Sequence, residues 1–220
     1  MKIPQLPNEI TSMIVSSLAG PQVQPLGKAY ECYAQGLSSY ASVSKEWQVL
    51  VERYTFHGLY LTRGRLEDAK RIVNHYRSRQ IQTLYFEVTL GEYEVVGLQT
   101  EPQSEQLGNS VAYTLDLHSL FRYLSTWDSN DVFVGGLNLV LSAKSRNDIH
   151  PIQNILLLQS TYGLLENTRP VMPLPRLEFV QTLMWDFQNC DQDCILDIAW
   201  LYALPQLTTL KWELSMRGGE

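Results

Sequence analysis

The chain has 220 residues and a mass of 25.2 kDa, long enough for one or two domains that bury roughly 70–75% of the unfolded chain's surface. Hydrophobic residues make up 45% of the chain and charged residues 18%, which excludes an intrinsically disordered protein. The longest apolar run, residues 198–204, is far shorter than the ~18–20 residues of a membrane-spanning helix. A net charge of -6 argues against nucleic acid, whose phosphates require a surplus of Lys and Arg. We therefore expect neither a membrane nor a nucleic-acid partner.

Cysteine content and the first residues indicate the cellular compartment. Three cysteines are an odd number, and the sequence contains no Asn-x-Ser/Thr acceptor. Two prolines and Glu9 interrupt the beginning of the chain, where a secretory signal needs a continuous apolar stretch. We expect a reducing compartment, either cytoplasmic or nuclear.

A short helix is predicted to begin near Asn8. Pro7 and Glu9 are the residue types that open a helix and complement its dipole, and Gly20 with the proline after it ends the helix. Between these limits, spacings of three and four form one apolar stripe of Ile10, Met13, Ile14 and Leu18. By periodicity alone, such a stripe is an ordinary core-facing side of a helix.

Two further helices are predicted over residues 37–52, after a segment at 22–36 that is interpreted as an insertion loop. The break between them falls near Ser44, which is expected to cap the second helix. Their apolar positions are Leu37, Tyr40, Ala41, Val43, Trp47, Leu50 and Val51.

The order of these residues resembles the F-box. The matching pattern is Leu6-Pro7-x-Glu9-Ile10-x-x-x-Ile14-x-x-x-Leu18, followed after the insertion by Tyr40-Ala41-x-Val43-Ser44-x-x-Trp47. The continuation, Glu52-x-x-Thr55-Phe56-x-x-Leu59-x-Leu61-Thr62, is similar to F-box proteins of filamentous fungi. The resemblance covers residues 4–62 and implies a three-helix F-box domain at 1–60.

What the F-box resemblance implies is docking on a Skp-type adaptor and, through it, on a cullin. The adaptor-binding residues that it implies are Leu6, Pro7, Ile10, Ile14, Leu18, Val43 and Trp47. The alternative is a non-catalytic interaction scaffold whose N-terminal helices only cap a leucine-rich-repeat array, with Leu6, Ile14 and Val43 buried against residues 60–220. The two interpretations differ in the exposure of the stripe.

A basic helix is predicted over residues 64–79, after the F-box-like region. Its apolar positions are Leu66, Ala69, Ile72, Val73 and Tyr76, and arginines and lysines occupy the other side. Glu67 and Asp68 interrupt the basic run, so we interpret it as a solvated face.

Three later segments, at 81–88, 180–187 and 207–214, share one frame: aliphatic, polar, Thr, Leu, any residue, aromatic, acidic, apolar. The alternation predicts strands, and residues 137–141 form a weaker fourth copy. The last two strong copies lie 27 residues apart, within the period of leucine-rich repeats, and residues 195–204 have the helical spacing of a returning helix. An ordinary mixed domain with chance similarity is the alternative.

This part of the chain resembles the degenerate leucine-rich repeats that often follow a fungal F-box. The expected fold class is therefore α+β or α/β, an F-box followed by a short irregular leucine-rich-repeat-like array at 61–220 that binds a target protein. Residues 91–109 are predicted as a loop and 115–124 as a helix. The chain stops directly after a strand, so either another surface covers the last apolar layer or the array continues.

Residues with catalytic or metal-binding potential do not form a recognisable constellation in the sequence. Cys190 and Cys194 flank two aspartates, but no second pair with zinc spacing accompanies them, so we interpret them as thiols. The four histidines lie in unrelated local patterns, without a nucleophile elbow or a His-Glu-x-x-His helix. We expect no enzymatic activity, no cofactor and no metal. The predicted function is the substrate-recognition subunit of an SCF-type ubiquitin ligase, with a target that the sequence does not name.

Overall fold

A computed structural model describes residues 7–19, 37–90, 103–128, 135–145, 174–186 and 202–213. Its α-helices are α1 (Asn8–Ala19), α2 (Lys45–Thr55), α3 (Arg63–Ile72), α4 (His75–Ser78) and α5 (Gln103–Leu124), and a 3₁₀ helix spans Leu37–Ser42. Its strands are β1 (Gly58–Thr62), β2 (Thr83–Leu90), β3 (Leu137–Ser145), β4 (Val180–Asp186) and β5 (Thr209–Glu213). The predicted insertion at 22–36, both cysteines of the 190–194 segment and most of the predicted helix at 195–204 lie outside the described residues.

The five strands form one parallel sheet in the order in which they follow along the chain, β1-β2-β3-β4-β5. All four segments predicted as strands are confirmed. The protein is therefore a mixed helix and strand fold built on a five-stranded parallel sheet. Consecutive parallel strands need a crossover connection between each pair.

The register of the sheet reproduces the frame that the three repeated segments share. Thr182 pairs with Thr209, and Trp185 pairs with Trp212. Leu139 of β3 pairs with Leu84 on one side and Leu183 on the other. Equivalent positions of the sequence frame therefore form continuous rows across the strands.

The spacing between successive strands is uneven. Paired residues are separated by 25 positions between β1 and β2 (58 to 83), 55 between β2 and β3 (83 to 138), 44 between β3 and β4 (138 to 182), and 27 between β4 and β5 (182 to 209). The first strand was not predicted as a strand, because its residues were assigned to the end of the F-box pattern. It crosses position 60, where the sequence placed the domain boundary.

The main hydrophobic core lies between one face of the sheet and the helices α3 and α5. Every second residue of a strand faces the same side of the sheet, so two rows of side chains, two residues apart along the strands, point into this core. Its fully buried members include Leu61, Leu84, Phe86, Leu139, Leu141 and Leu183 from the sheet and Leu117, Leu120, Phe121 and Leu124 from α5. Within this core the indole nitrogen of Trp185 donates a hydrogen bond to the Tyr113 hydroxyl at 3.3 Å.

Two helix predictions need correction. The helix predicted over 64–79 ends at Ile72, Val73 is extended, and the Asn74 side chain accepts hydrogen bonds from the backbone of Tyr76 and Arg77 to begin α4. Of the predicted apolar side, Leu66 and Ala69 are buried, whereas Ile72 and Tyr76 are exposed. The helix predicted at 115–124 begins at residue 103, inside the segment predicted as a loop.

Candidate protein-interaction surface

The first helix turns its most apolar side away from the protein. Its buried positions are Thr11, Val15 and Ala19, spaced by four, which place small side chains against the neighbouring helices. Successive residues rotate by about 100°, so the predicted apolar residues lie on a neighbouring side of the helix, displaced by roughly 120° from the buried positions. All four of them are exposed, and we call this set the exposed stripe: Ile10, Met13, Ile14 and Leu18. Periodicity predicted the helix correctly, but the core lies on a different face from the one that it indicated.

The start of α1 follows from local chemistry. The Pro7 carbonyl accepts both the backbone N–H of Thr11 at 3.0 Å and its side-chain hydroxyl at 3.2 Å. Glu9 lies in the first turn, where a negative charge complements the helix dipole. These contacts fix the helix from its first turn onward and hold the exposed stripe on one side.

The second helical element continues the apolar surface. The Ser44 hydroxyl accepts the backbone N–H of Trp47 at 3.3 Å, which confirms Ser44 as the cap of α2. The predicted helix before it is a 3₁₀ helix, which is wound more tightly than an α-helix. Val43, between the two elements, is 61% exposed, and Trp47 is half-buried with its ring centroid 6.1 Å from that of Tyr40.

A small separate core supports these helices. It consists of Val15, Ala19, Leu37 and Val51, and partly buried side chains pack around it: Ala41, Trp47, Leu50 and Tyr54. The main core of the sheet shares none of these residues. The N-terminal helices therefore form a unit with its own core, and we call residues 7–19 and 37–55 the N-terminal helical unit.

The seven predicted adaptor-binding residues occupy three parts of the chain: the segment before α1, the exposed stripe of α1, and the region around the start of α2. Leu6 lies outside the described residues, and Pro7 is exposed ahead of α1. Ile10, Ile14 and Leu18 belong to the exposed stripe, whereas Val43 and Trp47 lie beside the cap of α2. Prediction from the motif left out three exposed apolar side chains of the same unit, Met13, Tyr40 and Val49. Met13 had a usable signal, because it is three positions after Ile10 and was part of the predicted stripe.

The scaffold alternative predicted that Ile14 and Val43 are buried against residues 60–220. Ile14 is 36% exposed and Val43 is 61% exposed. The helical unit meets the sheet through the end of α2, close to β1, instead of through this apolar side. Both side chains are therefore available to another molecule.

The junction between the helical unit and the sheet contains a partly buried ion pair. Nη2 of Arg77 in α4 lies 2.6 Å from Oε1 of Glu52 in α2, and the amide of Gln48 also donates to this carboxylate at 2.9 Å. The Arg77 guanidinium holds the pKa of Glu52 below its ordinary value, against the opposing effect of burial, and the Gln48 amide lowers the pKa further. The same guanidinium lies 5.0 Å above the Phe56 ring.

Three basic residues of α3 pair with carboxylates. Lys70 pairs with Glu67 at 2.6 Å, Arg71 pairs with Asp68, and Arg63 reaches the buried Asp116 of α5 at 2.6 Å. Burial raises the pKa of Asp116 and exceeds the opposing effect of Arg63. These pairs offset part of the positive charge of α3.

The parts of the chain that the structure describes contain no cluster of three or more His, Cys, Asp or Glu residues able to hold a metal ion. Within the same ranges, no helix is both long enough and apolar enough to span a bilayer. Comparison with protein-family models, with curated proteins and with solved structures returns no match for this chain.

Proposed function

We propose that this protein is the substrate-recognition subunit of an SCF-type ubiquitin ligase. In this proposal the N-terminal helical unit is an F-box that binds a Skp-type adaptor, and the adaptor connects it to a cullin. The sheet region binds a target protein. No bond chemistry takes place on the chain itself, because its role is to hold the target near the ligase's ubiquitin-charged partner and raise the effective concentration of target lysines there.

The observation that carries the proposal is the orientation of α1. A surface helix normally packs its apolar stripe on its own core. Here the core takes Thr11, Val15 and Ala19, and the larger Ile10, Ile14 and Leu18 face outward. Adjacent exposed apolar side chains on a folded unit are typical of a protein-binding site. These three exposed residues are among the seven that the F-box resemblance assigns to the adaptor.

The sheet supports the second half of the proposal. Parallel strands in chain order, with equivalent leucines in register, are the arrangement of leucine-rich repeats. Two of the four strand spacings, 25 and 27, fall within the period of about 20–29 residues of such repeats, and the other two are longer. We therefore propose a short irregular array with insertions before β3 and β4. Such arrays bind other proteins across several repeats.

Co-elution of the purified protein with a purified Skp-type adaptor tests the adaptor site. We expect a stoichiometric complex at micromolar concentrations. Ile14→Asp should abolish it while the protein stays folded, because a charge at this position, which is 36% exposed, is tolerated in water but not in an apolar interface. Absence of any complex with the unmodified protein would refute the proposal.

A matched control is available on α3. Ile72, the last residue of α3, is also an exposed isoleucine, with 49% of its surface accessible. It lies outside the N-terminal helical unit. Ile72→Asp should therefore leave the complex intact. Trp47→Ala is expected to weaken binding by about 2 kcal/mol, a typical loss for a central aromatic of an interface. Because Trp47 also packs on the small core, circular dichroism must show that this variant keeps its helices.

A further inference from the structure

Two separate cores and a short connection raise the question of what fixes the angle between them. The small core of the helical unit and the main core of the sheet share no buried residue. Along the chain, only Phe56 and His57 lie between the end of α2 at Thr55 and the start of β1 at Gly58. A covalent connection at one point leaves two bodies free to rotate unless a second attachment holds them.

The ion pair of Glu52 and Arg77 is such a second attachment. Glu52 lies on α2, one turn before the end of the helix, and Arg77 lies on α4, after the chain has passed through β1 and α3. The guanidinium also donates to the carbonyl of Ile72 at 2.7 Å and covers the Phe56 ring. One side chain thus joins the last turn of α2, the connection after it and the end of α3.

The chemistry of Arg77 suits this role. A planar guanidinium directs its donors along fixed lines, so two hydrogen bonds to different elements define an orientation as well as a distance. Both side chains of the pair are largely buried, with 24% of Arg77 and 11% of Glu52 exposed, so solvent screens their attraction less than it screens a surface pair. By contrast, the pairs Lys70–Glu67 and Arg71–Asp68 each lie within α3 and fix nothing between elements.

We infer that the Glu52–Arg77 pair sets the angle between the N-terminal helical unit and the sheet. In the proposed receptor this angle determines where a target bound to the sheet lies relative to the adaptor. Glu52 and Arg77 are then positioning residues that touch neither adaptor nor target. The consequence for ubiquitin transfer rests on the proposed function, whereas the angle is a property of the chain alone.

Distances between two spin labels test the inference directly. One label is placed at Ser16 of α1 and the other at Lys211 of β5, both exposed, after the three native cysteines have been replaced by serine. The protein should give one narrow distance distribution. Arg77→Met should at least double the width of the distribution, and Arg77→Lys, which retains the charge without the planar donors, should give an intermediate width.

Arg63→Met is the matched control, because it removes the pair with Asp116, in which both partners lie on the sheet side of the junction. This variant should keep the narrow distribution. If Arg77→Met fails to fold, Glu52→Gln replaces it, and the width should still increase. A folded Arg77→Met or Glu52→Gln protein with an unchanged distribution would overturn the inference.

Adaptor binding separates this inference from the proposed function. Arg77→Met should bind the adaptor within twofold of the unmodified protein, since Arg77 lies on α4 and is not part of the N-terminal helical unit. If no variant binds the adaptor but the distribution still broadens, the receptor proposal fails and the junction inference stands. If Arg77→Met binds the adaptor normally and its distance distribution stays narrow, the junction inference fails and the receptor proposal stands.

Discussion

Leu183 of β4 and Leu210 of β5 are paired across the sheet, yet Leu183 is fully buried and Leu210 is 40% exposed. The equivalent residues of β2 and β3, Leu84 and Leu139, are also fully buried. The row of leucines thus passes from the main core to a partly open position at its last strand. Residues at equivalent positions of the repeat frame therefore differ in burial.

This difference predicts unequal costs for the same substitution. Leu183→Ala should lower the free energy of unfolding by about 2–5 kcal/mol, because it leaves a cavity in a closely packed core. Leu210→Ala should cost less than about 1.5 kcal/mol, since much of its side chain is already in water. Urea denaturation followed by circular dichroism measures both. Equal losses would mean that β5 is as well covered as β4.

The cap of α2 gives a second prediction. Ser44→Ala removes the hydroxyl that accepts the Trp47 N–H and should destabilise the protein by about 1 kcal/mol. Ser17→Ala is the control, because Ser17 is exposed inside α1 and does not cap a helix. Alanine has the highest helix propensity, so this substitution should change the free energy of unfolding by less than about 0.5 kcal/mol. The thermal unfolding midpoint should therefore fall for the first variant and stay nearly constant for the second.

Acid should weaken the junction through Glu52. Its pKa is lowered in the folded protein, so its contribution to stability is fully present above the ordinary value of 4.5 and is lost as the pH falls through the folded-state pKa. Glu52→Gln should remove this part of the acid sensitivity and reduce the slope of stability against pH below the ordinary value of 4.5. Urea midpoints between pH 3 and pH 7 give that slope. An identical slope in both proteins would show that ionised Glu52 does not stabilise the folded protein.

Asp116 should behave in the opposite direction. Its pKa is raised by burial, so the folded protein binds a proton more readily than the unfolded chain does, and this group favours folding as the pH falls. Asp116→Asn should therefore steepen the loss of stability in acid, measured in the same series. A shallower slope would contradict the raised pKa.

Much of the fold could be predicted because the sheet obeys local rules. The frame of Thr, Leu, aromatic and acidic residues identified three strands, and alternation identified β3; the register that aligns equivalent frame positions is a finding of the structure. The strand β1 was missed, since Gly58–Thr62 is short and has no acidic residue where β2 has Glu87. The helix α5 was predicted too short, because the start of the helix at 103 lies in a polar segment without apolar periodicity.

The candidate surface was predicted in part for a different reason. Periodicity located α1 but indicated the stripe of Ile10 and Ile14 as its core side, whereas the core lies against Val15 and Ala19. Sequence spacing cannot distinguish an apolar side that meets its own core from one that meets another protein. Only the F-box resemblance indicated that this apolar side faces another protein. The ion pair of Glu52 and Arg77 has no sequence signature, because its partners lie 25 residues apart on different helices.

Isothermal titration of the full chain with a purified Skp-type adaptor tests the central proposal most directly. We expect one adaptor per chain, a dissociation constant below about 1 μM and a negative heat-capacity change, because apolar side chains leave water. Ile14→Asp should abolish the heat of binding, and Ile72→Asp should retain it. No heat of binding at micromolar concentrations of the unmodified protein, across several temperatures, would contradict the assignment of this apolar surface to an adaptor.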